Sequence, residues 1–242
     1  MTPCIFGRFL ELSLPVDDIR ESLAFYGTLG FTELVAGDIR RYYYGIVGDG
    51  RIAVGLHAAG IDEPALSFVR ADVAACRPPG ADGGTAPSFA RLGVDDFHEI
   101  GMHTPDGHLL IAMEAATFSR APLADCPSPV IGRCVDIGLG CRDLDDSARY
   151  WTAAGFVAQP DAADDSVELL APGLRLSLRT DLRPGRMALR FAPDDLDTAL
   201  GALERCGTPV RHDGHVYRVT APEGTQLELI TGDTRVQALP RN

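Results

Sequence analysis

Glu11-Leu-Ser-Leu-Pro-Val-Asp-Asp-Ile-Arg-Glu-Ser-Leu-Ala-Phe-Tyr26, followed shortly by Gly30-Phe31, decides the fold because it recurs. The second copy is Asp136-Ile-Gly-Leu-Gly-Cys-Arg-Asp-Leu-Asp-Asp-Ser-Ala-Arg-Tyr-Trp151, followed by Gly155-Phe156. Each copy opens with alternating apolar residues, the period of a half-buried strand. An aspartate comes next, Asp18 or Asp143, of the type that caps a helix by accepting its orphan N–H groups. Ile19, Leu23 and Tyr26 then follow helical spacing, and Gly30 or Gly155 supplies the left-handed residue that ends a helix. The unit reads as strand, helix, glycine stop.

Working outward, a weaker pair lies between and after these copies. Leu66-Ser-Phe-Val-Arg-Ala-Asp72-Val and Leu189-Arg-Phe-Ala-Pro-Asp-Asp195-Leu each give a strand and a capping aspartate. The second continues into a helix over Leu196–Cys206 ended by Gly207. The first meets Pro78-Pro79-Gly80, so its helix is short or broken. Both run on to a turn between strands, Thr104-Pro-Asp-Gly107 and Ala221-Pro-Glu-Gly224, with proline and glycine where a type I turn takes them. Strand-like runs at Arg41–Val47, Arg51–Leu56, Val167–Leu170 and Leu174–Leu178 fill the intervals. The pattern is βαβββ four times, an α+β chain with domain 1 over residues 1–116 and domain 2 over 132–242. A proline-bearing linker over 117–131 joins them, and residues 77–92, rich in Gly and Pro, read as a mobile loop.

Bulk properties fit that organisation. The 242 residues suffice for two domains, and 45% hydrophobic with 23% charged residues suits an ordinary buried core. A formal charge of −12 with no basic cluster speaks against nucleic acid and anionic membrane as partners. No run approaches the ~20 apolar residues of a membrane span, and the N-terminal stretch lacks a signal-peptide pattern. The chain is expected to be soluble and cytoplasmic, a monomer or homodimer that takes a small-molecule ligand. The six cysteines show no zinc spacing and read as separate reduced thiols. No phosphate loop, nucleophile elbow or H-E-x-x-H motif is present.

Strand, capping Asp, Ser, aromatic pair and Gly-Phe, followed some eighty residues later by Pro-Asp-Gly or Pro-Glu-Gly, is similar to the vicinal oxygen chelate superfamily of glyoxalases, bleomycin-resistance proteins and extradiol dioxygenases. The resemblance covers nearly the whole chain and occurs twice. It implies that each half is a glyoxalase-like domain in which two βαβββ units form a cupped mixed sheet around the ligand. It implies no single reaction, because the superfamily holds lyases, isomerases, dioxygenases, thiol transferases and metal-free drug-binding proteins.

In metal-dependent members the ligands come from the first strand of each unit and from the residue four past the turn glycine. Those positions are Glu11, Ala65 and Ile111 in the first half, and Asp136, Ala188 and Glu228 in the second. One carboxylate or two fall short of the three or more donors a divalent ion needs, so the expectation is that no cofactor binds. The alternative is a divalent metal near Asp136 and Glu228 with a nearby histidine; His57 in the first half and His215 in the second are the histidines that could rescue a site.

Parity then assigns the cup linings, since residues two apart on a strand share a face. In the second half Arg190 joins Ala188, and Gln226 joins Glu228. Arg190 is expected near Asp136 and Glu228, its guanidinium supplying the positive charge a metal would give. In the first half Ser13, Ser67, Leu109, Ile111 and Met113 face inward with Glu11, the candidate general acid or base. Of Tyr42, Tyr43 and Tyr44, one or two face inward, and Tyr43 is taken with His57 as lining. His98, Glu99 and His103 read as loop polars. An apolar pocket of this kind suits a small, partly aromatic ligand, bound by a sequestering protein or a divergent enzyme. A ring-cleaving dioxygenase, lyase or isomerase with unusual ligands, and a structural module with filled cups, are the alternatives.

Overall fold

A computed structural model describes residues 4–36, 42–77, 79, 87–95, 97–116, 123–160, 166–214 and 216–230. Arg41, residues 80–86 of the Gly- and Pro-rich stretch, residues 117–122 of the linker and His215 lie outside the described residues.

The four repeats form as strands and helices. The first holds β1 (Arg8–Pro15), α1 (Ile19–Thr28), β2 (Thr32–Leu34), β3 (Tyr44–Gly48) and β4 (Ala53–His57). The second holds β5 (Ala65–Arg70), β6 (Phe89–Arg91), β7 (Glu99–His103) and β8 (Leu109–Glu114), with no α-helix among its described residues. The third holds β9 (Arg133–Gly140), α2 (Leu144–Ala153), β10 (Val157–Pro160), β11 (Ser166–Ala171) and β12 (Leu174–Arg179). The fourth holds β13 (Met187–Ala192), α3 (Leu196–Arg205), β14 (Arg211–Asp213), β15 (Val216–Thr220) and β16 (Gln226–Ile230). Strand β6 falls inside the stretch expected to be a loop; three residues at a sheet edge are too short to show a period against the surrounding Gly and Pro.

Local chemistry explains the boundaries. Asp18, Asp143 and Asp195 are extended N-caps whose carboxylates accept from the first-turn N–H groups of α1, α2 and α3. Gly30 and Gly155 take positive φ, 89° and 95°, just beyond the C-caps, where a side chain would strain the backbone.

Two eight-stranded mixed sheets result, in the orders β2-β3-β4-β1-β5-β8-β7-β6 and β10-β11-β12-β9-β13-β16-β15-β14. Within each repeat the outer strands pair antiparallel, while β1–β4, β5–β8 and β13–β16 pair parallel. This is the tandem βαβββ architecture read from the repeats.

The chain gathers into two compact units: Met1–Glu11, Pro64–Arg120 and Gly138–Arg186 in one, Leu12–Glu63, Ala121–Ile137 and Met187–Asn242 in the other. The first unit packs around Phe6, Phe68 and Trp151, with ring centroids 5.5 Å apart for Phe6–Phe68 and 6.5 Å for Phe6–Trp151. Its Pro-Asp-Gly turn is tied to α2: Asp106 accepts from Ser147 Oγ and from the Arg142 N–H at 3.1 Å. In the second unit Tyr26, Phe31 and Phe191 stack edge to face. There the Pro-Glu-Gly turn is tied to α1, Glu223 accepting from Tyr26 Oη at 2.7 Å and Ser22 Oγ at 2.9 Å. The repeated serine and the repeated turn acid are thus two halves of one latch. Among the described residues no helix is long and apolar enough to cross a membrane.

Candidate functional site

The face-sharing residues of the second sheet carry a row of alternating charge. Registry places Arg190 of β13 beside Glu228 of β16, and Glu228 opposite Arg218 of β15. Arg190 Nη2 lies 2.8 Å from Asp136 Oδ2 on β9, Arg218 Nε 3.0 Å from Glu228 Oε1, and Arg218 Nη1 2.7 Å from Asp213 Oδ2 on β14. The order across the strands is acid, base, acid, base, acid. Asp136 and Glu228 are 4% and 0% exposed, and a guanidinium meets each of these buried carboxylates. The Glu228 carboxylate in turn holds the Arg218 guanidinium above its usual pKa, against the opposing pull of desolvation.

Two features accompany this row. Arg190 Nε is buried and has no hydrogen-bond partner among the described residues. Beside the row, Thr208, Arg211, Asp213, Arg218, Thr220 and Gln226 help line a hollow of about 500 Å³. Gln226 Nε2 reaches Thr220 Oγ1 only at 3.5 Å.

Asp136, Arg190, Gln226 and Glu228 therefore gather in one unit. Arg218 belongs to the same row but was not among the candidates. The signal lay in the hairpin: counting outward from Ala221-Pro-Glu-Gly224 pairs Thr220 with Gln226 and Arg218 with Glu228.

The first sheet is different. Ser67, Ile111 and Gly101 share one face of β5, β8 and β7, with Leu109 and Met113 two residues either side of Ile111. A Cβ on Gly101 would meet the Phe89 ring at 2.1 Å, so Phe89 fills that face. Arg91 lies over Phe89 at 5.0 Å and pairs with Glu99, which is buried rather than a loop polar. His98 bonds Glu114 and His103 bonds Ser88. Glu11 is buried on β1, two residues before Ser13 on the same face.

In the second unit Ser13 pairs with Gly55, and His57 with Tyr44. The Tyr44 ring stacks on His57 at 5.4 Å, and Tyr42 Oη lies 3.3 Å from His57 Nδ1. Tyr43 is corrected: it is 71% exposed, because β3 begins at Tyr44 and strand parity turns its neighbour outward.

No protein-family model and no curated protein sequence matches the chain. Solved structures do. The chain shares its fold with solved ring-cleaving dioxygenases. A catechol 2,3-dioxygenase superimposes with TM-score 0.59 at 14% identity, over 93% of this chain and 87% of that one. A variant of homoprotocatechuate 2,3-dioxygenase from Brevibacterium fuscum gives 0.59 at 14% identity, over 94% and 72%. The 2,2',3-trihydroxybiphenyl 1,2-dioxygenase of Sphingomonas wittichii gives 0.54 at 17%, over 96% and 94%.

These neighbours overturn the expectation that no cofactor binds. They are dioxygenases by name, and a count of missing ligands in the sequence is no ground against the fold they share with this chain. The residues at the expected position nonetheless do not fit an ion. Ala188 offers no donor atom, and Asp136 and Glu228 are each held by an arginine. Among the described residues no three His, Cys, Asp or Glu side chains converge as ligands.

Proposed function

We propose that the protein binds a small, partly apolar organic molecule bearing an acidic oxygen, and that the charged row of the second sheet receives it. The observation that carries this reading is the buried Arg190 Nε with no acceptor. A buried donor left unsatisfied costs about 1–3 kcal/mol, which an incoming oxygen would offset. A guanidinium already fixed by one carboxylate presents its remaining N–H groups in a set direction, which favours a planar oxyanion. The proteins of like fold are named for catechols and a hydroxylated biphenyl, so an aromatic ring is the body we assign to the ligand.

Calorimetric titration with catechols and hydroxybenzoates tests this. Binding by at least one compound is expected, with Arg190→Lys weakening it about tenfold through loss of the planar fork. Silence across the panel, or equal binding by the variant, would refute the reading.

The fold likeness favours a second reading, iron-dependent ring cleavage at the same cup. Stoichiometric iron in the purified protein, with oxygen consumed on adding a catechol, would establish it in place of simple binding.

A further inference from the structure

Three of the four repeats follow their first strand with a ten-residue helix, and the second does not among its described residues. In the second unit Cys206, the C-cap of α3, comes close to Thr28 of α1. In the first unit the corresponding flank of α2 borders a cavity of about 590 Å³. That volume is within the range of small-molecule pockets.

The cavity does not belong to the cup. Its floor includes Ile100 and Met102 of β7, which pair with Ala112 and Leu110 of β8. Those residues share a face with Phe68, which packs on Phe6, itself against Trp151 of α2. Ser67, Ile111 and Gly101 alternate to the opposite face.

Its chemistry is mixed. Ile100, Met102 and Pro105 give it an apolar body. Tyr150 lines one wall, at the position where the other copy of the repeat has Phe25. Its hydroxyl is buried with no hydrogen-bond partner among the described residues, and burial raises its pKa so that it stays a donor. Arg77 also lines the cavity, its Nη1 held by the carbonyls of Ala74 at 2.6 Å and Cys76 at 2.9 Å. A fixed positive charge and an unused phenolic donor flank an apolar space.

We propose that this cavity is a second binding site, for a small aromatic anion whose ring lies on Ile100 and Met102 and whose acidic group meets Arg77 and the Tyr150 hydroxyl. The site is independent of the charged row and shares no residue with it.

Fluorescence titration with anilinonaphthalene sulfonate, an aromatic body with one fixed negative charge, tests the proposal. Saturable binding at one site is expected. Tyr150→Phe, which removes one oxygen and keeps the ring, should weaken it roughly three- to tenfold. Met102→Trp, which fills the cavity from the sheet, should abolish it. Should Met102→Trp fail to fold, the conservative Tyr150→Phe decides alone. Absence of saturable binding, or an affinity unchanged in Tyr150→Phe, overturns the site.

Discussion

Replacing Tyr26 by phenylalanine tests whether the turn acid of the fourth repeat is a structural latch. The Tyr26 hydroxyl is fully buried and donates to Glu223 Oε1 at 2.7 Å. A hydrogen bond to a charged partner contributes about 1.5–3 kcal/mol. Glu223 is partly open to solvent and keeps the Ser22 donor at 2.9 Å, so its charge is not stranded and the lower end applies. The ring remains, with its edge contacts to Phe25 at 5.3 Å and Phe31 at 5.1 Å, so no cavity term is added. The expected loss is about 1.5 kcal/mol. In urea unfolding at neutral pH this lowers the midpoint by roughly 0.5–1.5 M, since slopes run about 1–3 kcal/mol/M. Glu223→Gln measured alone and with Tyr26→Phe closes a double-mutant cycle whose coupling should be about 1 kcal/mol. A midpoint shift below about 0.2 M, or strict additivity of the two changes, would show that the pair is no latch.

Two further outcomes follow from buried acids. Arg218→Met leaves Glu228 buried without its guanidinium partner and should cost about 3–5 kcal/mol, most of it recovered in Arg218→Met/Glu228→Met; equal urea midpoints for single and double variants would contradict this. Asp49 accepts from the N–H groups of Arg51 and Ile52 at 2.7 Å and of Cys134, yet burial outweighs those bonds and raises its pKa above 3.8. An acid raised on folding contributes stability that is complete below its unfolded value and lost as pH rises through its folded value. The stability difference between wild type and Asp49→Asn should therefore narrow as the pH is raised across that window, and a difference constant with pH would sink the account.

Local rules made most of the fold legible. Capping aspartates, glycine stops and turn prolines act within a few residues, so Asp18, Gly30 and Pro105 could be read without the rest of the chain. Strand alternation carried Asp136, Arg190 and Glu228 onto one face, where the structure brings them together. Tyr43 went the other way because parity alone does not say which of three adjacent tyrosines turns inward; β3 begins at Tyr44, and that residue is the buried one. The latches were invisible for a different reason. Ser22 and Glu223 are separated by most of the chain, and nothing local states that a serine in one repeat will seat a turn acid of another. The same distance hid the Phe89 ring over Gly101, since β6 was not recognised as a strand.

The charged row shows why fold and residues point in different directions at this site. A divalent ion attracts donors from every side and needs several of them free to converge. A guanidinium does the opposite: it spends part of its planar fork on one partner and leaves fixed N–H directions for another. Arg218 divides itself between Glu228 and Asp213, and Arg190 meets Asp136 with one edge. The same two buried carboxylates that could serve as ligands instead aim the arginines. In the reading we propose, donors oriented in a plane meet a flat oxygen-bearing group, which is why Arg190→Lys, with its single point charge, is the variant that tests it.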